Sequence, residues 1–177
     1  MTPLGGSLLG MSVVALDLRL NGFDFLMDPV GWGVVAVMVG RLADALQAFK
    51  VTSVASWVGG IVTLPQLVGE VWGVLPELLV VLLQTVVLVS MCTGMIAVIG
   101  PEHRSAAGLN VVRWADVATT VAYVVMIPSD IRGLAVVVPL AIATVVVAVA
   151  FVVMTWQLRT HEGYEWLYVL SGELRLI

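Results

Sequence analysis

Long runs of Val, Leu, Ala and Gly fill this chain, and short polar knots separate them. Within the runs, apolar residues do not alternate with polar ones at a period of two. Nor do they leave a charged stripe at a period of 3.6, as a helix on a soluble surface would. The polar knots carry the punctuation. Asp28-Pro29 reads as a helix start, with Asp as N-cap and Pro at the first helical position. Gly100-Pro101 reads as a stop. This pattern predicts six helices over about 2–20, 29–46, 51–68, 71–99, 111–127 and 134–156, followed by a polar tail over 157–177.

The lengths suit a bilayer, which needs about 20 apolar residues per helical crossing. Leu134–Trp156 is the cleanest candidate, with no charge along its length. The first run is short unless extended to Leu20, which puts Asp17 and Arg19 in its last turn; a half-span is the alternative. Gly6 and Gly10 form a small-xxx-small pair suited to close helix packing. A kink is expected at Pro65, inside the third run. Arg41 and Asp44, three apart near the end of the second helix, are expected on one face. Glu102–Asn110 reads as a loop, with Asn110 capping the fifth helix.

Composition agrees with this reading. Of 177 residues, 60% are hydrophobic and 11% charged, and the mean hydropathy is +1.08. A soluble domain carries about a quarter charged residues. The expected fold is therefore an all-α integral membrane bundle of about six helices, with a short C-terminal tail. The net charge of −4 includes no basic stripe, so no nucleic-acid partner is expected. The bilayer is the first expected partner, followed by a second copy of the chain or another membrane protein. Cys92 is the single cysteine and excludes an internal disulfide. No basic segment with a small-residue cleavage site opens the chain, so no cleaved signal peptide is read. Scarce lysine beside abundant Arg, Val, Ala and Gly points to a bacterial genome.

Six crossings would place Arg41, Lys50, Arg104, Arg113, Arg159 and Arg175 on one side, and Arg19 and Arg132 on the other. The positive-inside rule then makes both termini cytoplasmic, in a bacterial cell membrane. Trp32, Trp72, Trp114 and Trp156 fall near predicted helix ends, where amphipathic rings favour the interface.

Candidate chemistry is sparse. Asp17, Arg19, Asp24 and Asp28 gather in the polar stretch before the second helix. Three carboxylates around a guanidinium could bind a cation or relay a proton. A capped outer hairpin, with Arg19 paired to Asp17 or Asp24, explains them equally. Glu77, Gln84 and Met91 recur at seven-residue spacing on one helix face. Gln84 suits a hydrogen bond between helices, and Glu77 suits the interface. Asp116 with Thr119 and Thr120 could line a polar path, while an i,i+3 pair with Arg113 would soften the cost of both charges. No hydrolase, metalloprotease or nucleotide-binding motif is present, and no cofactor is expected.

Two stretches carry resemblances. Asp17-Leu-Arg19-Leu-Asn-Gly22-Phe23-Asp24, with the following Pro and Gly, resembles small bacterial multi-pass membrane proteins with an Asp-x-Arg-x-x-Gly-Phe-Asp hairpin. That family has no assigned activity, so the resemblance implies location and architecture; here Asp28 precedes the Pro instead of following it. The tail resembles the first motif of cupin barrels through His161, Glu165 and Gly172, with Arg159 where the motif's first His would stand. Trp166–Leu170 and Leu174–Ile177 add a β-hairpin signal. The resemblance implies metal ligation by His161 and Glu165. The remaining strands and second motif do not follow, so the tail is expected to be a fragment, a fusion remnant or a chance match, without a complete metal site.

The leading functional expectation is a structural, assembly or regulatory membrane component without enzyme activity. The alternative is a small transporter or channel using Glu77, Gln84 and Asp116, or the carboxylates before the second helix. A membrane-anchored cupin-type sensor or enzyme comes third.

Overall fold

The computed structural model of the chain describes residues 19–20, 23–24, 28–67, 74–126 and 134–161. Among them are two short strands, β1 (Arg19–Leu20) and β2 (Phe23–Asp24), and five α-helices. The helices are α1 (Asp28–Gly40), α2 (Gln47–Thr63), α3 (Val74–Ile99), α4 (Arg104–Met126) and α5 (Leu134–His161). A 3-10 turn, Leu64–Leu67, extends α2. The described fold is thus almost wholly helical, as the apolar runs predict.

Each helix packs on the next in sequence, and cross-helix contacts fix the directions. Trp32 of α1 lies on Gly59 of α2, and Gly40 lies by Ser53, so these helices are antiparallel. Phe49 of α2 meets Gly94 of α3, and the Thr52 and Ser90 hydroxyls bond at 2.6 Å; this pair is antiparallel too. Thr85 of α3 bonds Thr120 of α4, while Thr93 bonds Arg113, again antiparallel. Gly108 of α4 meets Met154 of α5. The Thr155 hydroxyl reaches the Met95 sulfur at 4.0 Å. Thr85 and Thr144 line one cleft, so α3 and α5 run the same way.

The core follows the seam. Trp32, Val35, Val39 and Leu42 from the α1 region meet Phe49 and Ala55 of α2, and Val87, Met91, Cys92 and Met95 of α3. Gly59 has a steric role. A Cβ there would stand 2.8 Å from the Trp32 ring, closer than packed side chains tolerate. Small and hydroxyl residues recur on the inner face of α2, and the Ser53 hydroxyl donates across to the Ala36 carbonyl at 2.9 Å.

Several predicted boundaries are corrected. Arg19 and Leu20 pair antiparallel with Asp24 and Phe23, so they are not the last turn of a first helix; residues 1–18 lie outside the described residues. The second predicted helix ends at Gly40 instead of Leu46. Residues 41–45 form turns with bonds such as Leu42 N–H to Val39 O at 2.8 Å. Arg41 and Asp44 are exposed in that turn and share no helix face. Extended Leu46 then precedes α2, which starts at Gln47 and not at Val51. Pro65 falls in the 3-10 turn and does not kink a continuing helix.

Gly100 ends α3 with φ of 88°, a conformation that needs no Cβ penalty only in glycine. The following helix starts at Arg104, well before Asn110, which is internal and caps nothing. His103 supplies the cap, its Nδ1 accepting the Ser105 N–H at 3.1 Å. Ala106, Leu109, Val112 and Asp116 form the buried face, while Arg104, Ala107 and Asn110 are exposed. The apparent polar loop is therefore the outer face of an amphipathic helical turn. α5 continues to His161, five residues beyond the predicted Trp156. Trp32 is buried in the core, not at an interface, whereas Trp114 and Trp156 are exposed; Trp72 lies outside the described residues.

The six expected crossings are also corrected. Among the described residues, two helical segments are long and apolar enough to cross a membrane, Leu78–Ile99 and Val138–Leu158. α1 is apolar but short, α2 has 17 residues, and α4 carries Arg104, Asn110, Arg113 and Asp116. α3 lends Val87, Met91, Cys92 and Met95 to the core, whereas α5 is largely exposed. Only 33% of the first and 17% of the second is buried.

Candidate functional site

Three helices build one polar cleft, of about 200 Å³. α3 contributes Val81, Gln84 and Thr85, one i, i+3, i+4 face. α4 contributes Asp116, Thr119, Thr120 and Tyr123, an i, i+3, i+4, i+7 stripe. Thr144 of α5 completes the wall. The stripe on α4 interrupts an otherwise apolar half-helix, and it faces α3 because the neighbouring residues Val112 and Leu109 are buried on the same side.

The threonine hydroxyl protons in this wall are committed. Thr119 donates to the Asp116 carbonyl at 2.8 Å, and Thr144 donates to the Leu140 carbonyl at 3.0 Å. Thr85 donates to the Val81 carbonyl at 3.1 Å and shares a second bond with Thr120. With its own proton directed to the Val81 carbonyl or the Asp116 carboxyl, Thr85 is the acceptor in that pair. The Thr85 hydroxyl also hydrogen-bonds the Asp116 carboxyl, so its one proton is shared between that group and the Val81 carbonyl. Asp116 is 7% exposed, and its Oδ2 has no hydrogen-bond partner.

The expected Arg113–Asp116 pair does not form. Arg113 donates to Asn110 Oδ1 at 2.6 Å and to Thr93 Oγ1 at 3.2 Å. Its guanidinium lies 5.5 Å from the Trp114 ring centroid. Helical side chains lean toward the N-terminus, so Arg113 covers the turn of Asn110. Asp116 sits one turn the other way, on the buried face.

The remaining sequence candidates are dispersed. Asp17 and Glu165 lie outside the described residues. The strand register sets Arg19 opposite Asp24, and Asp28 opens α1. Glu77 stands in the first turn of α3, Gln84 on the cleft and Met91 in the core. His161 is the last residue of α5. Among the described residues, no three His, Cys, Asp or Glu side chains are grouped to hold a metal ion. Sequence reading brought Gln84, Asp116, Thr119 and Thr120 forward, but it missed Thr85, Tyr123 and Thr144. Tyr123 was within reach, because it extends the Asp116–Thr120 spacing by one turn. Thr144 was not, because a lone Thr in an apolar helix has no spacing signal.

No family model matches the chain, and neither a curated protein nor a solved structure is significantly similar to it.

Proposed function

We propose that this chain is a multi-pass integral membrane protein, serving as a structural, assembly or regulatory component of the bilayer. One observation carries the reading: α3 and α5 each hold a segment long and apolar enough to cross a membrane, and the α5 segment is extensively exposed. Val138, Ile142, Val145, Val149 and Val153 form an exposed aliphatic surface along α5. Water does not tolerate so large an apolar patch, and lipid does. The two segments, of 22 and 21 residues, rise about 33 and 31 Å at 1.5 Å per residue, close to the hydrocarbon thickness of about 30 Å.

Topology extends the reading to α4. If α3 and α5 both cross in the same direction, the helix between them must return across the bilayer. At 23 residues, α4 is about 34 Å long. Its polar residues then face α3, the cleft or the headgroups. Arg41, Lys50, Arg104 and Arg159 fall toward one end of the bundle, which supports a cytoplasmic assignment for that end. α1 and α2 add a hairpin on the same axis.

Membranes from expressing cells test this directly. The chain is expected to stay in the pellet after alkaline carbonate extraction and to leave it only with detergent. Release by carbonate would overturn the reading. In a Cys92→Ala background, cysteine introduced at Glu102 is expected to react with an impermeant maleimide only from the cytoplasmic side.

A second reading, a small transporter, draws support from the cleft, where an unpaired carboxylate stands inside a helix bundle. Flux of protons or monovalent cations into proteoliposomes, lost in Asp116→Asn, would favour it over the first.

A further inference from the structure

We propose that the cleft between α3, α4 and α5 binds one alkali-metal cation, with Asp116 as its counter-charge. The site rests on the membrane reading only for its depth, since its chemistry is set by the wall. Every hydroxyl with an assigned bond there has given its proton to the protein. Thr119 and Thr144 donate to carbonyls of their own helices, Thr85 donates to the Val81 carbonyl or the Asp116 carboxyl, and Thr120 then donates to Thr85. Each presents lone pairs to the cleft. The Gln84 amide can turn its oxygen inward as well. A wall of oxygen acceptors repels an anion and suits a hard cation.

Asp116 supplies the second, independent observation. Its side chain is more than nine-tenths buried, it lines the cleft, and its Oδ2 is unpartnered. Arg113, the nearest basic residue in sequence, is engaged by Asn110 and Thr93. The protein therefore supplies the negative charge without its complement. A single carboxylate matches a single positive charge, whereas calcium and magnesium sites recruit several carboxylates or phosphates. At about 200 Å³, the cleft has room for a cation that keeps some of its waters.

Depth agrees from two helices. Thr85 lies seven residues past Leu78, and Thr144 six past Val138, so the site sits about 9–10.5 Å from that end of the spans. A cation entering from that end crosses a short path. An ionised carboxylate at such depth costs several kcal/mol when unaccompanied, which a bound cation offsets.

The test uses the full chain in detergent or nanodiscs. Thermal unfolding is followed in sodium, lithium or potassium chloride, against N-methylglucamine chloride at equal ionic strength. Equilibrium binding of radioactive sodium or rubidium gives a direct readout. At least one alkali cation is expected to raise the wild-type Tm saturably, by about 4 °C or more. Asp116→Asn is expected to lose both the shift and the binding. Should that variant fail to fold, Thr144→Val and Thr120→Val are expected to weaken binding at least tenfold. Three results overturn the site: no alkali response beyond that of N-methylglucamine, an undiminished response in Asp116→Asn or the Thr variants, or a response to tetramethylammonium alone. Carbonate extraction separates this failure from that of the membrane reading, since a chain retained in the pellet that binds no cation refutes only the site.

Discussion

Gly59 and Gly60 are adjacent, yet their surroundings differ by a fraction of an ångström with opposite consequences. A Cβ at Gly59 would meet the Trp32 ring at 2.8 Å, whereas one at Gly60 would lie 3.4 Å from the Trp32 Cβ. The first is an overlap with a rigid, buried ring, and the second is ordinary contact. Gly59→Ala is expected to destabilise the fold by about 1–3 kcal/mol through overpacking. Gly60→Ala should be neutral, or stabilising by up to about 1 kcal/mol through helix propensity. Denaturant or thermal unfolding in detergent checks the pair, and equal effects would refute the account. The sequence shows the Gly-Gly pair but not which member lies under Trp32, because that depends on the rotation of α2 against α1. The same limit hid the fate of Arg113. Spacing allowed a pair with Asp116, and the lean of helical side chains sent the guanidinium to Asn110 instead.

At the scale of the element, hydroxyls join the helices where apolar side chains leave little room. Thr52 and Ser90 bond across α2 and α3, in a seam that also holds Phe49 against Gly94. A double-mutant cycle on Thr52→Ala and Ser90→Ala is expected to give a coupling of about 0.6 kcal/mol, and below about 2 kcal/mol, as for other hydrogen bonds between membrane helices. A coupling indistinguishable from zero would show that packing alone holds the seam. Helix existence and approximate position were legible for the apolar runs, because composition alone specifies them. Boundaries were legible where backbone chemistry enforces them, as at Asp28-Pro29 and Gly100-Pro101. They were not legible where amphipathic turns look like loops. The stretch from Arg104 to Asn110 is polar because its outward face is solvated, and its inward Ala106 and Leu109 are too few to announce a helix.

For the whole molecule, the distribution of apolar surface decides the reading. The aliphatic face of α5 has no protein neighbour among the described residues along much of its length. Arginine in its middle is therefore a probe of what covers it. Val149→Arg, near the centre of Val138–Leu158, is expected to lower membrane insertion by about 2.5–3.5 kcal/mol. Trp156→Arg, near the end, is expected to cost much less, since the guanidinium can snorkel. Glycosylation-tag or protease-protection assays of insertion read both. Equal tolerance at the two positions would speak for an aqueous surface. The all-helical class was legible from composition; the cleft was only half legible, because three helices meet there and sequence spacing registers one helix at a time.

The hydroxyl-to-carbonyl bonds inside each helix bear on the order of biosynthesis. Ser56, Thr63, Thr93, Thr144 and Thr155 each donate to the carbonyl four residues earlier in their own helix. Such a bond needs no neighbour. On the membrane reading, each segment can therefore leave the translocon for lipid with these groups already satisfied, before the helix that will pack on it has been synthesised. Ser53, Thr120 and Asp116 differ, since Ser53 bonds Ala36 of α1 and Thr120 bonds Thr85 of α3. The Asp116 carboxylate has no such local refuge, so α4 is the segment whose release should wait for α3 beside it.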